Sequence, residues 1–326
     1  GCYEWNVWDI GLSTPQAGIF GKGNEGAENA KYKDKPMIIA EYGDWTYGGS
    51  ASSTRVTRED KNSAGKKGGD EGMLIQSDNI QESMQTNRSR GKEWLGASMY
   101  WDYADYAGFD SGILTYCGVV DVCRIPKHSA YFYQSQKDAS LDMSEYGVKT
   151  GPMVYIANTW DEKAEKEVRI FSNCDTVELF LNGKSLGEKG HDEKMWGPHG
   201  DVDPSKYPTA DSGKEINTDA MKNAPITFEL DKYEKGELKA VGKIDGKEAA
   251  EYVRKSPEAA SQIQLRPESN TEVPLDGSSA KLVWIDIADA NGAVVPSAYT
   301  DVNLEVEGPG LVVGAKTITT KGGQLA

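Results

Sequence analysis

The segment KPMIIAEYGDW, Lys35 to Trp45, places a carboxylate where it could do chemistry. An uninterrupted apolar run from Pro36 to Ala40 comes directly before Glu41, and such a run is typical of a strand buried on both faces, as in a parallel sheet. Barrel enzymes hold their catalytic groups at the C-terminal ends of such strands. The alternative is a solvated glutamate at a strand end, and for Glu41 considered alone that is the commoner case.

The cysteines offer no metal site by their spacing. They are Cys2, Cys117, Cys123 and Cys174. No two of them form a CxxC pair, which argues against zinc. Cys117 and Cys123 could form a disulfide if a turn separates them. Buried free thiols are favoured instead, because Val119 and Val120 between them are typical of a strand.

The histidines show no ligand spacing either. His128, His191 and His199 lie in polar surroundings, and we expect all three at the surface. No cofactor is therefore predicted from the residues themselves.

Strand and helix patterns in the first part of the chain would position Glu41. Pro36–Ala40 predicts one strand, Gly72–Trp94 an amphipathic helix, and Leu95–Trp101 a second strand. This order is a parallel βαβ unit. The Ser-, Gly- and Lys-rich stretch Gly48–Asp70 is predicted to be a loop, and loops after barrel strands build active sites.

The pattern becomes all-β after about residue 150. Short strands are predicted at Met153–Ile156 and Glu167–Phe171, and hairpin turns at Asn182-Gly183 and Asp245-Gly246, where a type I′ turn needs two positive φ angles. The polar stretch Gly190–Ala224 between the hairpins is predicted to be a long loop, either an ordered insertion or a mobile flap.

A third segment follows a linker-like piece at Ser256–Ser261. Lys281–Ala288 alternates with Val283, Ile285 and Ile287 on one face, Asn291-Gly292 predicts a turn, and Asn303–Glu307 predicts a further strand. Strands at this spacing are typical of a sandwich, but the segment is short for one of about 100 residues.

Composition limits the function classes. The 326 residues allow two or three domains, and the 38% hydrophobic fraction allows sizeable cores. The formal net charge of −15 argues against nucleic acid as a partner. No run of about 18 apolar residues predicts a membrane span. The acidic surface fits a periplasmic or secreted bacterial protein, which is the expected location.

Three motifs in order resemble the last barrel strands of glycoside hydrolase family 2. They are KPMIIAEYGDW, GASMYWDYADYAG (Gly96–Gly108) and GVVDVCRIPKHSAYFYQSQ (Gly118–Gln136). Two further motifs, FSNCDTVELFLNGKSLG (Phe171–Gly187) and GELKAVGKIDGK (Gly236–Lys247), resemble the Ig-like domain that follows the barrel in β-galactosidase-type members, and the chain's last residues resemble the next such domain.

The resemblance implies a multidomain fold. We expect residues 1–136 to be the C-terminal part of a (β/α)8 TIM barrel, residues 137–260 an Ig-like β-sandwich, and residues 261–326 a second, incomplete one. A whole barrel needs about 250 residues, so only its last βα units are expected here. The chain would then need the N-terminal half of the barrel as a partner, and a homo-oligomer is left open.

The resemblance also implies roles for individual residues. Family members hydrolyse terminal β-linked sugars with retention, using two carboxylates about 5 Å apart. Glu41 matches the nucleophile. Trp101 matches an aromatic that lines the sugar subsite, with packing beneath a loop as the alternative.

Neighbouring polar residues are further candidates. Asp105 and Tyr106 could hydrogen-bond sugar hydroxyls, or Asp105 could cap a turn. Tyr42 and Asp44 flank the nucleophile as substrate-binding candidates. Arg124 and Lys127 are expected to pair with barrel carboxylates. Some relatives bind Mg²⁺ or Na⁺ near the site, but no ligand cluster for either ion is legible in the sequence.

The chain departs from the family pattern in its acid/base residue. In the family this is a Glu preceded by Asn, well upstream of the nucleophile. The Asn24-Glu25 pair is too close to Glu41 to come from the fourth strand of the same barrel. We therefore expect the acid/base to lie outside the chain, and the chain alone to be inactive.

Two other functions stay open. The Ig-like segments could be carbohydrate- or partner-binding modules beside a vestigial barrel, with Trp196 and Tyr207 as aromatic contacts. Alternatively, the enzyme could act on a β-glucuronide, a β-mannoside or an algal galactan rather than a β-galactoside.

Overall fold

A computed structural model describes most of the chain. The described residues are 37–43, 73–88 (except 75, 79, 82, 83, 86 and 87), 95–107, 114–115, 117–121, 124–196 (except 147, 149, 163 and 165), 215–267, 272–296, 298, 300–313, 316–319 and 324–325. Among them no helix is long and apolar enough to cross a membrane. The fold is mostly β with few helices.

The first part contains the predicted βαβ unit. Strands β1 (Met37–Gly43) and β2 (Leu95–Trp101) pair in parallel, and the described residues between 73 and 88 are helical. The expected bounds of β2 are confirmed. The first strand continues past Ala40, so Glu41 lies within β1 rather than after it.

Short elements follow β2. Strands β3 (Tyr106–Ala107) and β4 (Leu114–Thr115) form a small antiparallel pair, and α1 (His128–Ser135) and a 3-10 turn (Ser144–Tyr146) come next. The strand expected around Val120 is wrong: Val120 makes only isolated bridges, to Ala104 and Pro126.

A two-sheet β-sandwich forms the middle of the chain. One sheet has the order β11-β6-β5 and the other β13-β12-β7-β8. Its strands are β5 (Val154–Ile156), β6 (Glu167–Ser172), β7 (Thr176–Leu181), β8 (Lys184–Gly190), β11 (Ile226–Glu229), β12 (Glu237–Ile244) and β13 (Lys247–Lys255). Their inward-facing residues, such as Ile170 and Leu179, form one buried cluster together with Trp160, which lies between β5 and β6.

The two predicted hairpin turns close the sheet of β7, β8, β12 and β13. Asn182 and Gly183 have φ angles of 51° and 78°, and Asp245 and Gly246 have 50° and 71°. These positive values at both central positions confirm the predicted turn chemistry, which suits the twist of the flanking strands.

The long stretch between the hairpins is partly paired. Strands β9 (Lys194–Trp196) and β10 (Glu215–Asn217) run antiparallel within it. Residues 197–214, which include Tyr207, lie outside the described part of the chain. The expectation of a loop for Gly190–Ala224 is therefore wrong at Lys194–Trp196 and Glu215–Asn217, which pair as strands.

The third part is a smaller β-unit. Its strands are β14 (Ala260–Pro267), β15 (Val283–Asp289), β16 (Asp301–Asn303), β17 (Thr317–Thr319) and β18 (Gln324–Leu325). They pair as β14-β15-β18 and β16-β17. The strand expected at Asn303–Glu307 lies earlier, because Val302, not Val306, is the residue buried in this unit.

The first part of the chain, up to residue 136, and the sandwich that follows it as the second part share a hydrophobic core. Its buried members come from both sides of residue 136: Leu74, Ile80, Met84, Phe132, Met153, Tyr155, Ala157, Phe171, Met221 and Ala224. An ion pair of Arg169 with Asp78 joins helix and sandwich beside this core. Burial would lower the pKa of Arg169, but the carboxylates of Asp78 and Glu167 outweigh burial and raise it. The helical segment is thus fixed to the sandwich.

Candidate active site

The parallel pairing of β1 and β2 brings two predicted site segments to one edge of the sheet. Tyr42 lies opposite Tyr100, and Gly43 lies opposite Trp101. Since both strands run in the same direction, their carboxyl ends meet at this edge, where functional groups of parallel sheets gather. Glu41 precedes Gly43, the partner of Trp101, by two residues, so Glu41 and Trp101 lie on adjacent strands near the same edge.

The register of the pair shifts at Glu41. From Ile39 to Tyr42, β1 advances three residues, while β2 advances two, from Ser98 to Tyr100. One extra residue of β1 is thus inserted at Ala40–Glu41, as in a β-bulge. Bulges are frequent next to active sites, because they change the direction in which a side chain leaves the strand.

Trp101 presents an indole at the carboxyl edge. Its residue is 39% exposed. Its Nε1 donates a hydrogen bond to the Tyr106 hydroxyl at 3.0 Å, and the two rings meet edge to face with centroids 6.0 Å apart. The peptide bond between Trp101 and Asp102 is cis. The structure therefore brings two of the predicted substrate-binding residues together, with Tyr106 orienting the indole.

Asp105 is buried, unlike the partly exposed Trp101. It is only 4% exposed, and its Oδ1 accepts hydrogen bonds from the Gly118 backbone N–H at 2.9 Å and from Lys127 Nζ at 2.6 Å. Lys127 is itself fully buried, so the expected pairing of this lysine with a carboxylate is confirmed. The pair joins the loop after β2 to the segment before α1. A sugar contact by Asp105 stays a prediction.

Burial sets the charge balance of this pair. It raises the pKa of Asp105 to about 6, although Lys127 opposes the shift. It lowers the pKa of Lys127, although Asp105 opposes that shift in turn. Both directions mean that removing the two charges from water costs more than their attraction recovers, which is common for buried ion pairs.

A buried glutamine supports the same edge from the helix. Gln76 Nε2 donates to the backbone oxygens of Cys117 and Gly118 at 3.1 and 3.2 Å, and its Oε1 accepts from the Ser129 hydroxyl at 2.9 Å. The Tyr100 hydroxyl donates to the same Cys117 oxygen at 2.7 Å. Gln76 was missed in the sequence, where the only signal was a polar residue at helical spacing from Met73 and Ile80, on the face that these apolar residues share.

Comparison with known proteins decides the family. A model described as a domain of unknown function (DUF4982) matches residues 163–250. A β-galactosidase of Thermoanaerobacter pseudethanolicus is 30% identical over 69% of the chain and 28% of its own length. A β-galactosidase of Bacteroides ovatus is 24% identical over 69% of the chain and 23% of its own length.

The chain belongs to glycoside hydrolase family 2. It spans about a quarter of the length of these two relatives. A β-glucuronidase of Formosa agariphila is also similar, at 22% identity over 60% of the chain and 16% of its own length.

Solved family 2 structures share the fold. A β-glucuronidase from the family aligns over 90% of the chain and 29% of its own, with 19% identity and a TM-score of 0.60. A family 2 member from Bacteroides cellulosilyticus aligns over 92% of the chain and 34% of its own, with 17% identity and a TM-score of 0.53.

Some family 2 site predictions lie beyond the described geometry. Asp44 lies outside the described residues, and for Glu41 and Tyr42 the structure describes the backbone in β1.

His128, expected at the surface, is 1% exposed, and its Nδ1 lies 2.9 Å from the Tyr155 hydroxyl, so that prediction is wrong. It packs in the core that joins the first two parts.

The thiols and a cation site were further expectations. Cys174 is a buried free cysteine, and Cys117 is buried, while Cys123 lies outside the described residues, so a bridge between Cys117 and Cys123 stays untested. Among the described residues, no group of three or more His, Cys, Asp or Glu side chains could hold a metal ion.

Proposed function

We propose that the chain is the C-terminal part of a retaining exo-β-glycosidase whose nucleophile is Glu41. The observation that carries the proposal is the register of β1 and β2, in which Trp101 pairs with Gly43, two residues after Glu41, near the carboxyl edge of a parallel pair. The inserted residue at Ala40–Glu41 adds support, because it lies where a strand would need to redirect a catalytic side chain.

In the proposed reaction, the Glu41 carboxylate attacks the anomeric carbon of a β-linked sugar. The bond from that carbon to the leaving oxygen breaks, and an acid/base carboxyl supplies the proton that the leaving oxygen takes up. The sugar is then held on Glu41 as an ester. Water, deprotonated by the same acid/base group, hydrolyses the ester and releases the sugar with its original configuration.

Trp101 would bind the sugar during both steps. A pyranose ring presents a patch of C–H bonds that packs well on an indole face, and the bond to Tyr106 keeps the indole in one orientation. Tyr106, Tyr42 and Asp44 are proposed to contact sugar hydroxyls. The substrate is proposed to be a β-galactoside, since the 30% identical relative is a β-galactosidase. A β-glucuronide is the alternative supported by the Formosa relative.

The proposed architecture places residues 1–136 in the last βα units of a TIM barrel. Residues 137–260 and 261–326 would be Ig-like sandwiches, the second incomplete. The acid/base glutamate and the rest of the barrel would lie on a longer chain, which fits a match to only 28% of the first relative's length. The enzyme would act in the periplasm or outside the cell.

Trapping the glycosyl-enzyme tests the nucleophile. The longer enzyme should be incubated with a 2-deoxy-2-fluoro-β-galactoside carrying a good leaving group, and its peptides mapped by mass spectrometry. We expect the label on the peptide that contains Glu41, and none in a Glu41→Gln variant. A label on a peptide without Glu41 would overturn the assignment.

An activity assay of the 326-residue chain by itself tests the proposal that the acid/base residue lies on a longer chain. We expect it to release no nitrophenol from nitrophenyl β-galactoside or nitrophenyl β-glucuronide. The longer enzyme should turn over one of the two, which also decides the sugar. Strong turnover by the 326-residue chain would show that it already holds an acid/base group.

A further inference from the structure

A cavity of about 830 Å³ lies where the three parts of the chain meet. Its walls come from the segment before and within α1, from the sandwich at β5 and β13, and from the turn after β15. Trp101, Asp105 and Tyr106 do not line it. The volume is in the range of sites that enclose small molecules, which is about 300–1,000 Å³.

The described lining of the cavity is basic, although the chain carries a net charge of −15. Arg124, Arg254, Lys255 and Arg266 contribute four cations, and Asp161 is the one carboxylate among the described lining residues. Such a reversal of charge at a concave site concentrates anions.

Arg266 and Lys255 have acidic neighbours close by. Arg266 Nε lies 3.3 Å from Asp286 Oδ2, and Lys255 Nζ lies 3.3 Å from Glu237 Oε2. The side chains of Arg266 and Lys255 are each about half exposed, at 51% and 55%. Water screens the contact between Lys255 and Glu237. The side chain of Asp286 is only 7% exposed and offsets part of the charge of Arg266, but this contact uses Nε, so the Nη groups of Arg266 can still bind an anion in the cavity.

Aromatic rings hold the two central guanidinium groups in place. Arg254 lies over the rings of Tyr155 and Tyr252, at 5.6 and 5.3 Å from their centroids, and Arg266 lies 4.6 Å above the Trp284 ring. Arg254 Nη2 also donates to the Ile156 carbonyl oxygen at 3.0 Å and to the Tyr155 hydroxyl at 3.4 Å. A guanidinium held in place in this way loses little further freedom when its other N–H groups bind a carboxylate or sulfate.

Two lining tryptophans have unsatisfied donors. The indole N–H groups of Trp160 and Trp284 are buried and have no hydrogen-bond acceptor among the described residues. Buried polar groups in proteins are almost always paired with protein or ordered water. An acceptor supplied from the cavity, such as water or a hydroxyl oxygen, would satisfy them.

We propose that this cavity binds an acidic saccharide unit, with its anionic group on Arg254 and Arg266 and its ring among Tyr131, Tyr252 and Trp284. The anionic character follows from the lining alone. The choice of a saccharide rests on the proposed glycosidase function, and on the partly exposed aromatic residues that a pyranose can contact.

Binding of matched methyl glycosides to the 326-residue chain tests the proposal. Methyl β-glucuronide and methyl β-glucoside differ by a carboxylate in place of a hydroxymethyl group. We expect the glucuronide to bind at least tenfold more tightly by calorimetry, and its affinity to fall as salt rises. Methyl β-galactoside 6-sulfate shows whether sulfate replaces carboxylate.

Variants then locate the site. Arg266→Gln should weaken glucuronide binding about tenfold, while the exposed Arg88→Gln on the helical segment should change it less than about twofold. Arg266→Lys keeps the charge and should give an intermediate affinity. Trp284→Phe keeps a ring under Arg266 but removes the N–H, so it remains informative if Arg266→Gln fails to fold; we expect severalfold weaker binding.

Two results would overturn the proposal. One is equal affinity for the glucuronide and the glucoside. The other is binding that Trp101→Ala abolishes and Arg266→Gln leaves unchanged, because the anion would then sit beside Trp101. Fluoroglycoside labelling of Glu41 in the longer enzyme does not depend on Arg266. Failure of the proposed function is therefore distinguishable from failure of the cavity site.

Discussion

The β-sandwich and strand β2 of the parallel pair differ in how far their side chains are buried. In the sandwich, Ile170, Val177 and Leu179 are all 0% exposed, because two sheets of the same segment cover each other. In β2, residues 96–99 are exposed, and Met99 is 53% exposed although it lies in a strand with the composition of a buried one. The sandwich closes its own core, whereas residues 96–99 of β2 are exposed on both faces of the strand, because successive side chains point to opposite faces.

The sandwich therefore contributes most to stability, whereas the parallel pair carries the candidate active site. The hairpins and core of the sandwich provide a rigid support, and the core shared across residue 136 attaches the candidate active-site edge to it. Parallel strands are normally covered on both faces. The exposed residues of β2 therefore fit the proposal that further barrel strands pack there in the longer enzyme.

The largest effect is expected when the buried ion pair of Lys127 and Asp105, beside the parallel pair, is broken. Lys127→Met leaves the Asp105 carboxylate buried without its cation, and should lower the free energy of unfolding by about 3–5 kcal/mol at pH 8. Without Lys127, the pKa of Asp105 rises above its value of about 6. A carboxyl with a raised folded-state pKa destabilises the fold where it is ionised, so the loss should shrink at pH 5.

Urea unfolding of parent and variant at pH 5 and pH 8 measures this loss. The control is Lys222→Met, which removes an exposed ion pair with Asp138 and should leave the urea midpoint nearly unchanged at both pH values. A loss of the same size at pH 5 and pH 8 would show that Asp105 is not the responding group.

The second effect tests core closure directly. Leu179→Ala in β7 opens a cavity in the sandwich and should cost about 2–5 kcal/mol. Met99→Ala in β2 should change the stability of this chain by less than about 0.5 kcal/mol, because Met99 is already exposed. Urea unfolding of both variants gives the comparison.

The longer enzyme sharpens that comparison. If further strands cover β2 there, Met99→Ala should cost clearly more than in the 326-residue chain, while the cost of Leu179→Ala should stay the same. An unchanged, near-zero cost for Met99→Ala in both proteins would argue against a barrel that closes over β2.

The smallest effects are expected at two glycines, Gly118 in the segment that packs beside Asp105 and Gly183 in a hairpin turn of the sandwich. A Cβ on Gly118 would lie 2.2 Å from the Asp105 backbone nitrogen and 2.5 Å from the Val120 oxygen, so Gly118→Ala should cost about 1–3 kcal/mol and disturb the Asp105 loop. Gly183 has open space around it but a φ of 78°, so Gly183→Ala should cost about 1 kcal/mol. Melting temperatures would rank them, and a larger drop for Gly183→Ala would contradict the close packing at Gly118.

Local patterns predicted local structure well. The bounds of β2, the parallel pairing of β1 with β2 and the positive φ values at Asn182-Gly183 all follow from interactions within a few residues or from the order of elements. The strand expected at Asn303–Glu307 was misplaced, since alternation alone does not show which apolar residue finds a partner. The side-chain geometry of Glu41 stays a prediction.

The sequence by itself determined the βαβ order, the hairpin turns and the family resemblance, because short-range periodicity and turn chemistry carry that information. Only the tertiary structure decided that Lys127 and His128 are buried, that Gln76 ties the helix to the Cys117 backbone, and that basic and aromatic residues from three parts line one cavity. These properties depend on residues far apart in the chain, whose contacts form only when the three parts pack together.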